Sequence, residues 1–235
     1  MVSEGCYRYH EHMGTLSIVA TPIGNLEDIT IRALRTLKEC DVIFCEDTRV
    51  TAKLLARHEI KKPLQRLDAA TEEKKAGAVC VRLEKGENIV FVSDAGTPGI
   101  SDPGARLVAQ VRIELPGVTI EAIPGPSALT AALSIAGLED GTFTFLGFLP
   151  HKKGRQTALA HLAKSDISTV LYESPHRILK LLNELREVQV PRVIVCRELT
   201  KIHEEVVAGT PSEVLSHFTL HPDTVRGEFV VIVTA

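Results

Sequence analysis

The stretch that decides the fold is Asn88–Gly104, which reads NIVFVSDAGTPGISDPG. Its first part, Asn88–Ser93, is a short apolar run of the kind that forms a buried strand. The loop that follows contains three glycines and two prolines. Glycine lets a backbone approach a ligand closely, and proline fixes a loop and so lowers the entropic cost of binding. A plain connector does not need this composition, and the loop is therefore predicted to bind a ligand.

Strands and helices alternate on both sides of this stretch. The predicted strands are Thr15–Ala20, Asp41–Cys45 and Thr119–Ile123, and the predicted helices are Ile29–Cys40, Thr48–His58, Thr71–Glu84 and Pro103–Glu114. The strands are almost continuously apolar, which is typical of a parallel sheet that is covered on both faces. The first part of the chain is therefore predicted to be an α/β domain with a mostly parallel sheet.

A second α/β series follows the prolines of Pro124-Gly125-Pro126, which stop regular structure. Its predicted helices are Ser127–Ala136, Gln156–Ala163 and Pro175–Glu187, with a capping box at Thr210–Glu213, and its predicted strands are Thr142–Phe148, Ser168–Tyr172, Arg192–Leu199 and Glu228–Thr234. The predicted domains are residues 14–123 and 124–235. Residues 1–13 are interpreted as a flexible leader, in preference to a metal-binding pair at His10 and His12, and no metal site is predicted.

Composition and charge exclude several classes of protein. Lys and Arg number 27 against 30 Asp and Glu, a net charge of −3, which excludes binding to nucleic acid by bulk charge. The chain has seven Phe, three Tyr and no Trp. So few aromatic residues make an RNA-binding platform of several exposed rings an unfavoured interpretation. There is no apolar run of about 18–20 residues, no apolar signal segment near the start and no Cys-x-x-Cys pair. These features predict a cytoplasmic protein without a membrane span.

Polar or Pro/Gly-rich segments follow several of the predicted strands. These segments are Thr21–Asp28, Glu46–Arg49, Ile123–Ala128, His151–Arg155, Tyr172–Arg177 and Cys196–Glu205. Each has a structural alternative: a turn, a set of helix-dipole partners, a linker or a solvated basic loop. The dinucleotide fingerprint GxGxxG and the phosphate-binding loop GxxxxGK are both absent. The convergence of six such segments predicts one ligand cleft between the two domains.

The motifs that carry a family resemblance occur in one order along nearly the whole chain. They are GTLSIVATPIGNLEDIT, CEDTR, VSDAGTPGISDPG, IPGPSA, LGFLP, YESPHR, RELTKIHEE and GEFVVIV. In this order they resemble the tetrapyrrole methylase superfamily, and within it the family that methylates ribose 2′-hydroxyls of small-subunit ribosomal RNA. One segment departs from the pattern: where relatives carry a YHEHN-like sequence after the third strand, this chain has Leu67–Glu73, LDAATEE.

The resemblance implies a two-domain fold with a mixed second sheet, a homodimer, S-adenosylmethionine as cofactor and a cytidine of 16S ribosomal RNA in the small ribosomal subunit as substrate. The cofactor-binding residues that it implies are Pro22, Gly24, Asp94, Gly96, Thr97, Ile100, Ser127, Ala128, Leu171 and Tyr172. Ile100, Ala128 and Leu171 are expected to form an apolar slot for the adenine.

The catalytic residues are expected among the charged groups at the strand ends. Glu46, Glu173 and Glu198 are candidates for the general base, and Arg49, Arg177 and Lys201 are candidates to hold phosphates or to stabilise the developing alkoxide. Two alternatives stay open at this point. One is carbon methylation of an anionic tetrapyrrole, and the other is a ribosome-assembly factor that binds the cofactor without catalysis.

Overall fold

The computed structural model describes residues 13–138 and 141–235. Apart from Met13, which packs against an apolar core, the predicted leader lies outside the described residues. The chain divides into two compact units between Ser127 and Ala128, and each unit is described by itself. Within the described ranges, no helix combines the length and the apolar character needed to cross a membrane.

Unit 1, which ends at Ser127, is a five-stranded parallel sheet with helices on both faces. Its elements are β1 (Thr15–Val19), α1 (Ile31–Glu39), β2 (Val42–Cys45), α2 (Thr48–Arg57), β3 (Leu64–Arg66), α3 (Glu72–Glu84), β4 (Ile89–Val92), α4 (Ala105–Glu114) and β5 (Thr119–Ile123). The strand order is β3-β2-β4-β1-β5, and every pair of neighbours is parallel. The predicted parallel sheet is confirmed.

Two apolar cores cover the two faces of this sheet. Successive residues of a strand point to opposite faces, and in β2 Phe44 packs into the core beneath α3 and α4 while Ile43 packs into the core beneath α1 and α2. All four residues of β2 and all four of β4 are buried. Burial on both faces explains why these strands read as continuous apolar runs in the sequence.

Unit 2, Ala128–Ala235, is a five-stranded mixed sheet. Its elements are α5 (Ala128–Ala136), β6 (Phe143–Phe148), α6 (Arg155–Leu162), β7 (Ser168–Glu173), α7 (Ile178–Glu187), β8 (Arg192–Arg197), β9 (Glu205–Gly209), α8 (Pro211–Leu220) and β10 (Phe229–Thr234). In the order β6-β7-β10-β8-β9, only β6 and β7 are parallel. The predicted mixed sheet and the capping box at Thr210 and Glu213 are confirmed.

Several predicted boundaries were wrong for identifiable reasons. Strands β3 and β9 were not predicted, because both are sheet edges whose residues are mostly exposed or half-buried and give no apolar run. Helix α1 begins after Thr30, whose hydroxyl accepts a hydrogen bond from Ala33 N, and not near Asp28. Pro175 lies in a turn closed by the bond from Arg177 N to Ser174 O, so α7 begins only at Ile178.

Candidate functional site

Three loops of unit 1 are joined at the carboxyl edge of its sheet. Thr21 and Gly96 exchange backbone hydrogen bonds of 2.9 and 3.0 Å, which connect the loop after β1 to the loop after β4. The Thr97 hydroxyl donates to Pro126 O at 3.1 Å and so adds the loop after β5. Since β1 lies between β4 and β5 in the sheet, these bonds make one continuous surface of three sequence-distant segments.

The backbone conformation at position 96 favours glycine in this surface. Gly96 has a φ of +80°, and a Cβ there would lie 3.4 Å from Ile23 Cγ2. Pro22 and Gly96 are buried, whereas Gly24 is exposed and Thr97, Ile100 and Ser127 are half-buried. The predicted cofactor-binding residues of unit 1 therefore lie along one edge, with exposed backbone at Gly24 and partly exposed side chains beside it.

A buried glutamate fixes the far end of the loop after β4. Glu72, on α3, is 4% exposed, and its Oε1 accepts hydrogen bonds of 2.9 Å from Gly104 N and from Leu107 N. These are backbone groups at the start of α4 that have no partner within the helix. Nearer the loop centre, Asp102 accepts a bond of 2.8 Å from Ile100 N. The loop is thus held at both ends and within.

Carboxylates gather where β2 and β4 end side by side. Asp94 Oδ1 accepts a hydrogen bond of 2.9 Å from Asp47 N, and Glu46 Oε2 accepts one of 3.4 Å from Asp94 N. Burial raises the pKa of Glu46, and the neighbouring charge of Asp94 raises it further. Burial likewise raises the pKa of Asp94, and burial raises that of Asp102. This edge therefore favours a positively charged ligand.

Beside these carboxylates, the half-buried Asp47 pairs with the exposed Arg49. Asp47 accepts a hydrogen bond from Arg49 N at the start of α2 and is also bound by the Arg49 guanidinium. Hydrogen bonds from the Arg49 side chain and backbone lower the pKa of Asp47 to about 2. The Arg49 side chain is 86% exposed. Of the charged residues predicted at this strand end, Glu46 lies beside Asp94, whereas Arg49 points into solvent.

In unit 2 the carboxyl ends of β6, β7 and β8 meet at one edge of the sheet. Phe148 is paired with Tyr172, Glu173 with Phe229, and Phe229 with Arg197. The predicted residues of this unit divide at that edge. Leu171 is fully buried in the apolar core and its side chain presents no surface, whereas Tyr172 is half-buried and contacts the rings of Phe145 and Phe148.

Glu173 is buried and holds Arg177. Its Oε1 accepts a hydrogen bond of 2.6 Å from Arg177 Nε, and Arg177 Nη1 donates to Leu149 O at 3.2 Å. The Glu173 side chain is 0% exposed and that of Arg177 is 15% exposed. Oε2 of Glu173 is buried and has no hydrogen-bond partner among the described residues. The guanidinium lies over the ring of Phe148, 5.9 Å from its centroid.

Glu198 and Lys201 lie in a tightly bonded corner between β8 and β9. Lys201 Nζ donates to Glu198 Oε1 at 2.7 Å and to Glu228 Oε2 at 2.9 Å. Glu198 and Thr200 have φ angles of +51° and +66°, a strained conformation for residues other than glycine. Burial alone would raise the pKa of Glu198, but the hydrogen bonds from Lys201 and Glu228 N outweigh it and lower that pKa.

The basic segment His151–Arg155 contributes fewer free cations than its sequence suggests. His151, Lys152 and Lys153 are exposed, but Arg155 is 4% exposed. Its guanidinium pairs with Glu184, the shortest contact being 2.6 Å, and donates to Pro150 O at 3.2 Å. Arg155 is therefore part of the packing of α6 on α7, and only the first three residues can meet a phosphate.

Sequence reasoning missed Glu72, although a signal was present. Glu72, Ala76, Val79 and Leu83 are buried residues of α3 at helical spacing, so a carboxylate falls on the apolar face of the helix. A charge on such a face needs buried donors.

In the part of the chain that the structure describes, no group of three or more His, Cys, Asp or Glu side chains could hold a metal ion.

Similarity to known proteins extends over most of the chain. Residues 15–215 match the family of Tetrapyrrole (Corrin/Porphyrin) Methylases. The chain is 46% identical over 207 residues to Ribosomal RNA small subunit methyltransferase I of Thermotoga maritima, covering 88% of this chain and 92% of that protein. It is 46% identical over 221 residues to the protein of the same name from Borrelia garinii subsp. bavariensis, covering 93% and 98%.

Solved structures show the same fold at low sequence identity. A cobalt precorrin-4 methyltransferase is 22% identical with a TM-score of 0.68, over 97% of this chain and 98% of that one. Diphthine synthase is 17% identical with a TM-score of 0.71, over 94% and 90%. On the match over residues 15–215 and the identity to its relatives, the chain belongs to the tetrapyrrole methylase family, within the group of ribosomal RNA small subunit methyltransferase I.

Proposed function

We propose that this protein is an S-adenosylmethionine-dependent methyltransferase that modifies the ribose 2′-hydroxyl of a cytidine in 16S ribosomal RNA. The observation that carries the proposal is the 46% identity to two relatives named as small-subunit ribosomal RNA methyltransferases, over 92% and 98% of their lengths. The fold alone would not select this substrate class, because its neighbours include a cobalt precorrin-4 methyltransferase and diphthine synthase.

The carboxyl edge of unit 1 fits the cofactor chemically. When bound, S-adenosylmethionine supplies an electrophilic methyl group on a positively charged sulfur. Glu46, Asp94 and Asp102 are partly buried carboxyls whose pKa values are raised, and a nearby cation would relieve their mutual repulsion and desolvation. Gly96 lets the backbone approach a ligand, and Thr97 joins its loop to the loop after β5. Pro22 and Ser127 lie next to the bonded residues Thr21 and Pro126.

Of the three candidates for the general base, Glu46 fits the role best. Glu173 is buried and bound to Arg177, and Glu198 is bound by Lys201. Glu46 forms no ion pair within the described ranges, and burial raises its pKa, which improves a carboxylate as a proton acceptor. We infer that Glu46 takes the proton of the substrate hydroxyl.

The cations of unit 2 support an RNA substrate. Arg177 and Lys201 are each held by buried or half-buried carboxylates, so their positions are fixed before substrate binds. His151, Lys152 and Lys153 lie exposed in the loop after β6 and can contact phosphates.

A homodimer is part of the proposal. Seven of the nine residues of α5 are apolar, yet only Ala132 is buried and Ile135 is 47% exposed. An apolar helix of this kind needs a cover, and a second copy of the chain provides one. Sedimentation of the protein at several concentrations tests this.

A ribosomal substrate also implies that the enzyme works in the cytoplasm, which cell fractionation tests.

The decisive experiment is transfer of a labelled methyl group to purified, unmethylated small ribosomal subunits, followed by mapping of the labelled nucleotide. A single 2′-O-methylcytidine is the expected result. E46Q should lower turnover by a much larger factor than it weakens the binding of S-adenosylmethionine, because Glu46 is the proposed proton acceptor and only one of three carboxyls at this edge. E59Q, at an exposed position just after α2, serves as the control. Transfer to a tetrapyrrole and none to RNA, or cofactor binding without any transfer, would overturn the proposal.

A further inference from the structure

The proposed function leaves open how the protein recognises a base, and one surface in unit 2 bears on this. We propose that Phe148, with Arg177 beside it, stacks a nucleobase of the RNA substrate. The inference rests on the proposed function. Phe148 is 51% exposed at the end of β6, in a chain with few aromatic residues and no Trp. The composition argues against a platform of several exposed rings. One exposed ring, held in place by its neighbours, is enough to stack one base.

A β-bulge places this ring. The register of β6 against β7 shifts by one residue between Phe145 and Gly147, and Gly147 has a φ of +61°. In a regular strand Phe145 and Phe148 would point to opposite faces, because they are an odd number of residues apart. The bulge reverses the alternation, and both rings contact Tyr172 edge-on, with centroids 5.0 and 5.8 Å away.

The guanidinium beside the ring is fixed before any ligand arrives. Arg177 donates from Nε to the buried carboxylate of Glu173 and from Nη1 to Leu149 O. These bonds keep its Cζ 5.9 Å from the Phe148 centroid. A fixed ring and a fixed cation lose little conformational freedom when a base stacks against them. The guanidinium is also positioned to attract the phosphate or the carbonyl oxygen of the stacked nucleotide.

Charge distinguishes RNA from the other ligand of the enzyme. S-adenosylmethionine has a net positive charge, because its ammonium and carboxylate cancel and the sulfonium remains, and a cation such as Arg177 disfavours that net charge. An RNA strand is negatively charged, and the exposed His151, Lys152 and Lys153 follow Phe148 almost directly in the chain. A strand that stacks one base on Phe148 would therefore find cations for its neighbouring phosphates. The chemistry of this surface thus fits a nucleotide of the substrate strand.

The test replaces the ring and keeps its bulk. F148L should raise the KM for small ribosomal subunits about tenfold, as expected for the loss of one stacked base, and F148W should restore it. The affinity for S-adenosylmethionine, measured by calorimetry, and the sedimentation coefficient should stay unchanged. F143L is the matched control, because Phe143 is 39% exposed at the opposite end of the same strand and should affect neither constant.

Three results would overturn the inference: weaker cofactor binding in F148L, an altered oligomeric state in F148L, or equal effects of F148L and F143L on KM. If the unaltered enzyme transfers no methyl group to RNA, the proposed function fails separately. Base stacking on Phe148 is then tested by fluorescence anisotropy, which measures the affinity for a short labelled poly(C) RNA. Binding by the unaltered protein and about tenfold weaker binding by F148L supports it, and any other result refutes it.

Discussion

Removal of the Glu72 carboxylate should release the start of α4 from α3. Glu72 is 4% exposed, and its Oε1 accepts 2.9 Å hydrogen bonds from Gly104 N and Leu107 N. A hydrogen bond to a charged group contributes about 1.5–3 kcal/mol, and two bonds that share one oxygen do not add fully. We therefore expect E72A to lower the free energy of unfolding by about 3 kcal/mol.

Two further variants separate the hydrogen bonds from other effects. In E72Q an amide oxygen can accept the same two bonds, and only the charge is lost, so the expected cost is about 1 kcal/mol. Glu73 is the next residue of α3 and is exposed. E73A removes an acidic residue from the same first turn without touching α4, and should change stability by less than about 0.5 kcal/mol.

Urea unfolding followed by circular dichroism measures the three free energies, and amide hydrogen exchange measures the local effect. In E72A the amides of Gly104 and Leu107 should lose protection, and in E72Q they should largely keep it. Equal destabilisation of E72A and E72Q would refute this role of Glu72. The same holds if both amides exchange in E72A as slowly as in the unaltered protein.

Three further predictions follow from the geometry. G104A should cost more than about 1 kcal/mol, because φ is +127° and the new Cβ would lie 2.8 Å from Phe91 Cε1; G77A, with nothing within 4 Å, should stabilise α3 by about 0.5–1 kcal/mol in the same urea assay. E173A should lower the free energy of unfolding by about 3–5 kcal/mol, because it leaves a largely buried guanidinium unpaired. Burial raises the pKa of Asp94 above 3.8, so its contribution to stability is complete at low pH and is lost as the pH rises through the raised value. Without ligand, D94N should therefore gain in stability over the unaltered protein as the pH rises, and an advantage that is constant with pH would contradict this.

The sequence predicts most of the fold because burial leaves a pattern. The strands β2 and β4 are buried on both faces, so their apolar runs identify them as strands and their sheet as parallel. The edge strands β3 and β9 leave no such pattern, since their pairing partner and not their own composition makes them strands. The predicted start of α1 was too early for a related reason. Asp28 and Thr30 are both residue types that cap helices well, and packing decides which of them is used.

The sequence predicted which segments form the candidate site, but not which residue in them plays which chemical role. The three joined loops of unit 1 were each recognised by glycine and proline, which report the backbone geometry directly. Charged residues carry no such information. Glu173, Arg155 and Glu46 are all charged residues that follow predicted strands, and the sequence gives no sign of their different surroundings. The first two are held in buried ion pairs, and the third lies among other carboxyls. Pairing over long sequence separations decides which of them can act.

The bond from Arg155 to Pro150 O has a consequence for protein engineering. With the pairing to Glu184, it fixes both ends of the loop at residues 151–154 through groups that lie outside the loop. Doubling the length of a flexible loop costs only about 0.6 kcal/mol, so inserted residues should leave α6 in place. This segment is therefore suited to grafting: a longer or more basic insertion would change the reach of the protein toward its substrate without a change to the rest of the scaffold.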